Sequence, residues 1–270
     1  MQIIHRISIA SSPDIQRELA RLGISVADSG FVSFDVDESN KSWPELEEWV
    51  ARRRAVDVAS TKFSKKEIAD ARWLELVPDW HHGYPQPDED VFGYRQATYD
   101  LADWCDRCGV GMKQVAPFQM KGEPKWGKRS ILQLNWVFDE YFVTPDAWAL
   151  VFKPHGIECR PVLNTKGGEL RSVVQLVAQG EVGVVTEGLA TEETACSSCG
   201  RTKYLPVARG RFPALKEEPA TAMVKTKESF GSGASAHKRV LVSQAVAHSL
   251  TAGKLRGASL RPVAERGTGS

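Results

Sequence analysis

The sequence has no long apolar run, no recognisable catalytic signature and almost no net charge. Its longest apolar stretches fall far short of the ~20 residues that a membrane-spanning helix requires, so no membrane partner is expected. No apolar segment opens the chain, so an oxidising compartment is not expected, and the sequence reads as a cytosolic, cytoplasmic protein of bacterial type. There is no glycine-rich phosphate loop, no His-Glu-x-x-His and no Gly-x-Ser-x-Gly, so nothing in the spacing demands an enzyme. The net charge is +1, which by itself draws the chain to no partner of one sign. Cysteine is scarce, with five in 270 residues.

Four of those five are not scattered. Cys105-Asp106-Arg107-Cys108-Gly109 and Cys196-Ser197-Ser198-Cys199-Gly200 repeat one pattern, Cys-x-x-Cys-Gly. Two intervening residues allow both thiolates of a pair to face one tetrahedral ion at about 2.3 Å. The glycine lets the chain turn tightly while backbone amides approach the sulfurs. Cys105, Cys108, Cys196 and Cys199 are therefore the candidate ligands of a structural zinc ion, whose binding energy would be folding energy. The usual ribbon spacer is roughly 15–20 residues. Here 87 residues, 109–195, intervene, so a whole subdomain would be inserted between the pairs. Loop-closure entropy grows slowly enough with length to allow this. A redox pair and disulfides remain as alternatives. Against the first, Gly109-Val110-Gly111 opposes the helix that a thioredoxin-like motif needs. Cys159 has no partner pattern and reads as a buried small apolar residue.

The 42 % apolar content supports a proper core, and 270 residues suffice for two domains. Ser12-Pro13-Asp14 opens a helix with Ile15, Leu19 and Leu22 on one face, closed by Gly23. Phe31 to Val36 alternates as a strand does. Ser42-Trp43-Pro44-Glu45 opens a second helix, and Ser64-Lys65-Lys66-Glu67 is a capping box for a third. Residues 77–95 read as an irregular loop rich in turn formers and aromatics. The middle reads as β-rich, with strands over 114–120 and 130–134 and a strand pair over 172–177 and 182–185. A tail over 264–270 reads as disordered.

Phe142 to Val162 and Leu241 to Val263 share a pattern of strand end, Ser/Thr cap, helix of about ten residues, glycine, and a strand ending in Arg-Pro-Val. Ser12 to Phe34 reads as a degenerate third copy. The two Cys-x-x-Cys-Gly units, the Arg201 that follows the second, and the Ser243–Val263 ending together resemble the bacterial double Cys-x-x-Cys-Gly motif proteins. The Ser243–Val263 ending also resembles the C-termini of several bacterial immunity-protein families. The resemblance covers roughly residues 100–263. It implies an immunity-type role, in which the protein neutralises a cognate toxin by binding it.

The expected fold is thus α+β, with mixed sheets, packed helices, a zinc-ribbon-like four-cysteine site bearing a large insertion, and a repeated helix–strand unit. The expected division is an acidic domain over 1–100 and a zinc-binding domain over 101–263. Charge is uneven: 12 Lys/Arg against 19 Asp/Glu in 1–104, and 13 against 4 in 201–270. The acidic part suits a basic protein partner such as a nuclease toxin, because complementary fields speed association. The candidate contact residues are Glu45, Glu47 and Glu48 on the second helix, with Trp80, His81, His82 and Tyr84 in the irregular loop. The basic C-terminal third, with Arg107, Arg201 and Lys203 at the knuckles, keeps a nucleic-acid partner open as an alternative. An enzyme with a site near His81 and His82 is the third reading. Adjacent histidines on an extended segment point apart, so at most one would serve a given site.

Overall fold

The computed structural model describes residues 1–27, 30–88 and 92–266. The chain divides into two compact units, one formed by Met1–Glu67 with Val207–Gly210, the other by Ile68–Pro206 with Arg211–Ser270.

The first unit is an α/β layer pair. Strands β1 (Gln2–Ala10), β2 (Phe31–Asp37) and β3 (Val56–Lys62) form a sheet in the order β2-β1-β3, with both outer strands antiparallel to β1. Helix α1 (Pro13–Arg21) starts as its sequence predicts, with the Ser12 hydroxyl accepting from the Ile15 amide and proline at the first turn. Helix α2 (Trp43–Arg53) ends at Arg54 in the left-handed conformation. The apolar positions Ile15, Leu19, Trp43, Leu46, Trp49 and Val50 pack on Ile7 and Val36 of the sheet. Glu18 ties the two helices together, accepting from the Trp49 indole at 2.7 Å and from Arg53. His5 is buried against the Trp43 ring, with Asp57 on one ring nitrogen and Glu38 on the other, each at 2.8 Å. Helix α3 (Lys65–Asp70) carries the expected capping box, Glu67 accepting from the Ser64 amide and Ser64 from the Glu67 amide.

In the second unit the elements run β4 (Trp73–Pro78), α4 (Tyr94–Thr98), β5 (Tyr99–Asp100), β6 (Lys113–Gln114), β7 (Gln119–Met120), β8 (Ile131–Leu134), β9 (Val137–Val143), α5 (Pro145–Ala147), β10 (Glu158–Asn164), β11 (Glu169–Val177) and β12 (Glu181–Val182). They continue with β13 (Lys203–Tyr204), β14 (Met223–Thr226), β15 (Ser229–Phe230), β16 (Val240–Ser243), α6 (Gln244–Ala252) and β17 (Ala258–Pro262). Two five-stranded sheets result, ordered β7-β10-β11-β9-β8 and β12-β14-β16-β4-β17. In the first sheet the end of β9 is buried on both faces. Tyr141 and Val143 of β9 enter a core with Leu74, Leu76, Val242, Val246 and Leu250, while Phe142 between them enters another with Phe118, Leu132 and Val162.

The chain is α+β as expected, but several details differ. The long strand expected over 114–120 is two short ones, β6 and β7, because Pro117 has no amide for a ladder. The strands at 169–177 and 181–182 are not partners: β11 pairs with β10 and β9, and β12 with β14 of the other sheet. The irregular loop begins later than expected, since 73–78 is a strand at the heart of a sheet whose other members come from beyond residue 180. A cut near residue 100 would remove that strand from its sheet. Of the expected tail, 267–270 lies outside the described residues.

The segments 144–162 and 243–263 both form a helix followed by a strand, and both sit in the same local topology. β9 and β10 are parallel with β11 antiparallel between them, and α5 lies in the crossover. β16 and β17 are parallel with β4 between them, and α6 lies in the crossover. The same arrangement occurs in the first unit, where α2 joins β2 to β3 across β1. The degenerate copy is therefore misplaced by the sequence reading: Ser12 to Phe34 joins two strands that pair directly, and the split unit is 31–62. The two C-terminal helices also differ. Residues 145–155 tighten and widen through an α-turn, a π-turn at Trp148–Phe152 and a 3₁₀-turn, whereas α6 is regular. Pro154 is the physical cause, since its ring clashes with the carbonyl four residues back and donates no bond to it.

Candidate metal centre

The two knuckles have the same backbone. In the first, the Cys105 amide donates to Val110 O at 2.9 Å and the Gly109 amide to Cys105 O at 2.7 Å. In the second, the Cys196 amide donates to Arg201 O at 2.9 Å and the Gly200 amide to Cys196 O at 2.8 Å. Gly109 and Gly200 both sit at positive φ, +80° and +73°, the turn that the motif's glycine serves. The strands β5 and β6 close the first knuckle as a hairpin, and β13 carries the chain out of the second into pairing with β15.

Together the knuckles bring Cys105, Cys108, Cys196 and Cys199 within 4.8 Å of one another, sulfur to sulfur. Cys105 and Cys196 are 3.9 Å apart, and Cys108 and Cys199 are 3.6 Å apart. A tetrahedron with zinc–sulfur bonds of about 2.3 Å has sulfurs spaced ~3.8 Å apart, so the four residues fit one ion. Cys105, Cys108 and Cys196 are buried and Cys199 is half-buried. The sulfurs do not share one environment. Backbone amides hold the Cys105 thiol below its ordinary range. The Arg201 backbone amide, followed by its side chain, brings Cys199 down to about 6. Burial pushes Cys108 up to about 12, so a metal that took this thiol as a ligand would displace its proton outright.

Basic residues surround the cluster. Arg201 donates from Nε to the Cys199 sulfur at 3.4 Å and from Nη2 to the Asp103 carbonyl at 2.6 Å. Lys203 is 8 % exposed and donates to the carbonyls of Cys108 and Ser235, each at 3.1 Å, and to that of Gly233. Arg107 pairs with Glu193 at 2.6 Å. These groups line a cleft of about 230 Å³ beside Cys108 and Cys196. Behind the first knuckle, Gln114 and Gln175 exchange amide hydrogen bonds of 2.9 and 2.7 Å, and Gln175 also donates to Glu140.

The other sequence candidates lie elsewhere. Glu45, Glu47 and Glu48 are exposed on α2, opposite its buried face. The first unit as a whole is neutral, with 11 Asp/Glu against 11 Lys/Arg, so the acidity of the first hundred residues resides beyond residue 67. Trp80 is half-buried among His82, Trp126 and Arg129. His81 contacts Phe138, so the adjacent histidines have separate surroundings, and burial lowers the pKa of both. Tyr84 is 45 % exposed and lies against Trp136. Glu89, in the same stretch of sequence, lies outside the described residues. Cys159 is half-buried in β10, where burial raises its thiol.

Two buried charge clusters had no local sequence signal. Glu75 is fully buried between Arg239 at 2.6 Å and Arg261 at 3.4 Å. Lys225 lies between Glu140 and Asp139 and joins strands of the two sheets. Among the 13 Lys/Arg of residues 201–270, eight are in ion pairs: Lys203, Arg209, Lys216, Lys225, Lys227, Lys238, Arg239 and Arg261. The local excess of +9 is thus largely spent on acids from elsewhere in the chain. No helix among the described residues is long and apolar enough to cross a membrane.

Comparison with known proteins found no matching family model, no matching curated protein and no matching solved structure.

Proposed function

We propose that the chain is a zinc-stapled protein-binding protein of immunity type, which works by occupying a basic partner such as a toxin. The observation that carries the first half is the four-cysteine cluster. Four thiolates complete a tetrahedral shell and leave no position for substrate or water, so a zinc ion here would be structural. It would link two knuckles 87 residues apart and add its binding energy to folding.

The binding half rests on the motif resemblance and on α2. Glu45, Glu47 and Glu48 stand exposed on one stretch of helix, without ion pairs among the described residues, a compact acidic patch on a unit that is neutral as a whole. Such a patch steers a basic partner through its local field.

Purified protein should contain about one zinc per chain, read by elemental analysis. A metal-free protein that folds unchanged after chelation would overturn the staple. The partner claim is tested with any basic toxin found encoded beside the gene for this chain. Co-expression should rescue growth, and the association rate should fall steeply with salt, because exposed charges are screened beyond about 8 Å at physiological ionic strength. Reversing Glu45, Glu47 and Glu48 to lysine should weaken the complex. Full rescue and unchanged binding by that triple variant would remove α2 from the interface.

A further inference from the structure

We infer that Arg201 and Lys203 form a charge-compensating clamp on the metal centre, and that they set how firmly the two knuckles retain the ion. This rests on reading the site as a zinc tetrathiolate.

The argument begins with charge. Four thiolates around one zinc ion carry two net negative charges into a largely buried position, and such charge requires compensation. Lys203 presents the converse problem. Its ammonium is buried, yet its three hydrogen bonds all go to neutral carbonyls. Its carboxylate partner, Glu192, stands at 4.0 Å, beyond hydrogen-bond distance, and is itself engaged by the Gly233 amide. A cation held this way is only loosely paired, with Glu192 at the outer limit of an ion pair, and the thiolate cluster beside Cys108 adds a second counter-charge. Arg201 meets the cluster directly, through its Nε–H on the Cys199 sulfur.

Both side chains also cross between the knuckles. They follow the second Cys-x-x-Cys-Gly by one and three residues, but their bonds reach back to the first, at Asp103 O and Cys108 O. The first knuckle is shaped to admit them. A Cβ on Gly111 would lie 2.5 Å from Arg201 Nη1 and 2.0 Å from Asp103 O, and φ there is +113°. A Cβ on Gly109 would lie 2.4 Å from Ala234 O, in the loop whose carbonyls at Gly233 and Ser235 receive Lys203. Cys-Gly-x-Gly in the first knuckle and Cys-Gly-Arg-x-Lys in the second are thus two halves of one fitted contact. Partners of metal ligands in this position typically change metal affinity by about 10–100-fold when removed.

The test is zinc release from the full-length, zinc-loaded chain to a colorimetric chelator, alongside the cobalt-substituted form. Lys203→Met and Arg201→Met should release zinc at least about tenfold faster than wild type, while Lys203→Arg stays within about threefold. Arg201→Met should also alter the sulfur-to-cobalt charge-transfer band, because it removes a hydrogen bond to a ligand sulfur; a general loss of stability would leave that band in place. Lys203→Gln separates charge from hydrogen bonding, since the amide still donates to carbonyls but carries no charge. It should behave like Lys203→Met and is the variant to rely on if Lys203→Met fails to fold. Zinc release within about twofold of wild type in Arg201→Met and Lys203→Gln would overturn the clamp while leaving the staple intact. A wild-type protein that binds neither zinc nor cobalt would instead remove the reading on which the clamp rests.

Discussion

Gly109 and Gly200 occupy the same place in the same five-residue motif and adopt nearly the same φ, +80° and +73°. Their surroundings separate them. Alanine at either position must hold a left-handed backbone, at a cost of roughly 1–2 kcal/mol. At Gly200 that is the whole cost, because an added Cβ meets nothing within 4 Å. At Gly109 the Cβ would stand 2.4 Å from Ala234 O and 2.9 Å from Ala236 N, both backbone atoms that cannot rotate aside. The 234–236 loop must retreat, and forced overpacking of this kind adds about 1–3 kcal/mol. Gly109→Ala should therefore cost about 2–5 kcal/mol, a large share of the ~5–15 kcal/mol that stabilises an ordinary domain. Urea unfolding of the zinc-loaded chain, followed by metal release, reports on the unit that holds the centre. Gly200→Ala should lower the midpoint slightly, and Gly109→Ala should lower it at least twice as far. Equal shifts for the two variants would refute the packing argument and leave only the turn requirement that the motif itself states.

Two further predictions concern charge. Glu75→Gln leaves Arg239 and Arg261 beside a neutral group in a buried site, and removing one partner of a buried pair costs about 3–5 kcal/mol. A stability loss below about 1 kcal/mol would show that water reaches those guanidinium groups, and Glu75→Leu combined with Arg239→Leu should recover part of the loss. Glu18 is held down to about 2, first by its hydrogen bond from Arg53 and then by that from the Trp49 indole. Because the folded value is depressed, its contribution is fully present above the ordinary carboxylate range and is lost as pH falls from about 4.5 toward 2. The stability difference between wild type and Glu18→Gln should accordingly be present at about pH 6 and vanish by about pH 2. A carboxyl titration of Glu18 by NMR centred above about 4 would contradict the α1–α2 tie.

Some of this molecule is legible one segment at a time. Ser12 and Ser64 announce helix starts because a cap needs only residues within the same turn. The paired Cys-x-x-Cys-Gly units announce four candidate metal ligands because each knuckle builds its own geometry from five residues and their local amides. The helix–strand order of 144–162 and 243–263 is equally readable, as caps, glycines and apolar spacing are all local. Pro154 marks where the first of those helices is interrupted, but the π-turn that the interruption takes does not follow from the pattern of residues.

What the tertiary structure decided is everything that depends on which distant strand lies between two near ones. The strand inserted between β16 and β17 is β4, which lies far earlier in the chain, and periodicity carries no record of that pairing. For the same reason charge counts by segment misjudge the surface: Glu75 and Arg239, or Lys225 and Glu140, cancel only after the sheets assemble. Arg201 and Lys203 look in sequence like free basic residues at a knuckle, and folding turns them inward to the first knuckle's carbonyls. The sequence alone determined the candidate ligands and the turns, since these obey rules of a few residues' range. The fold alone determined what surrounds them, because burial, counter-charge and the room for a Cβ are set by chain segments brought together from far apart.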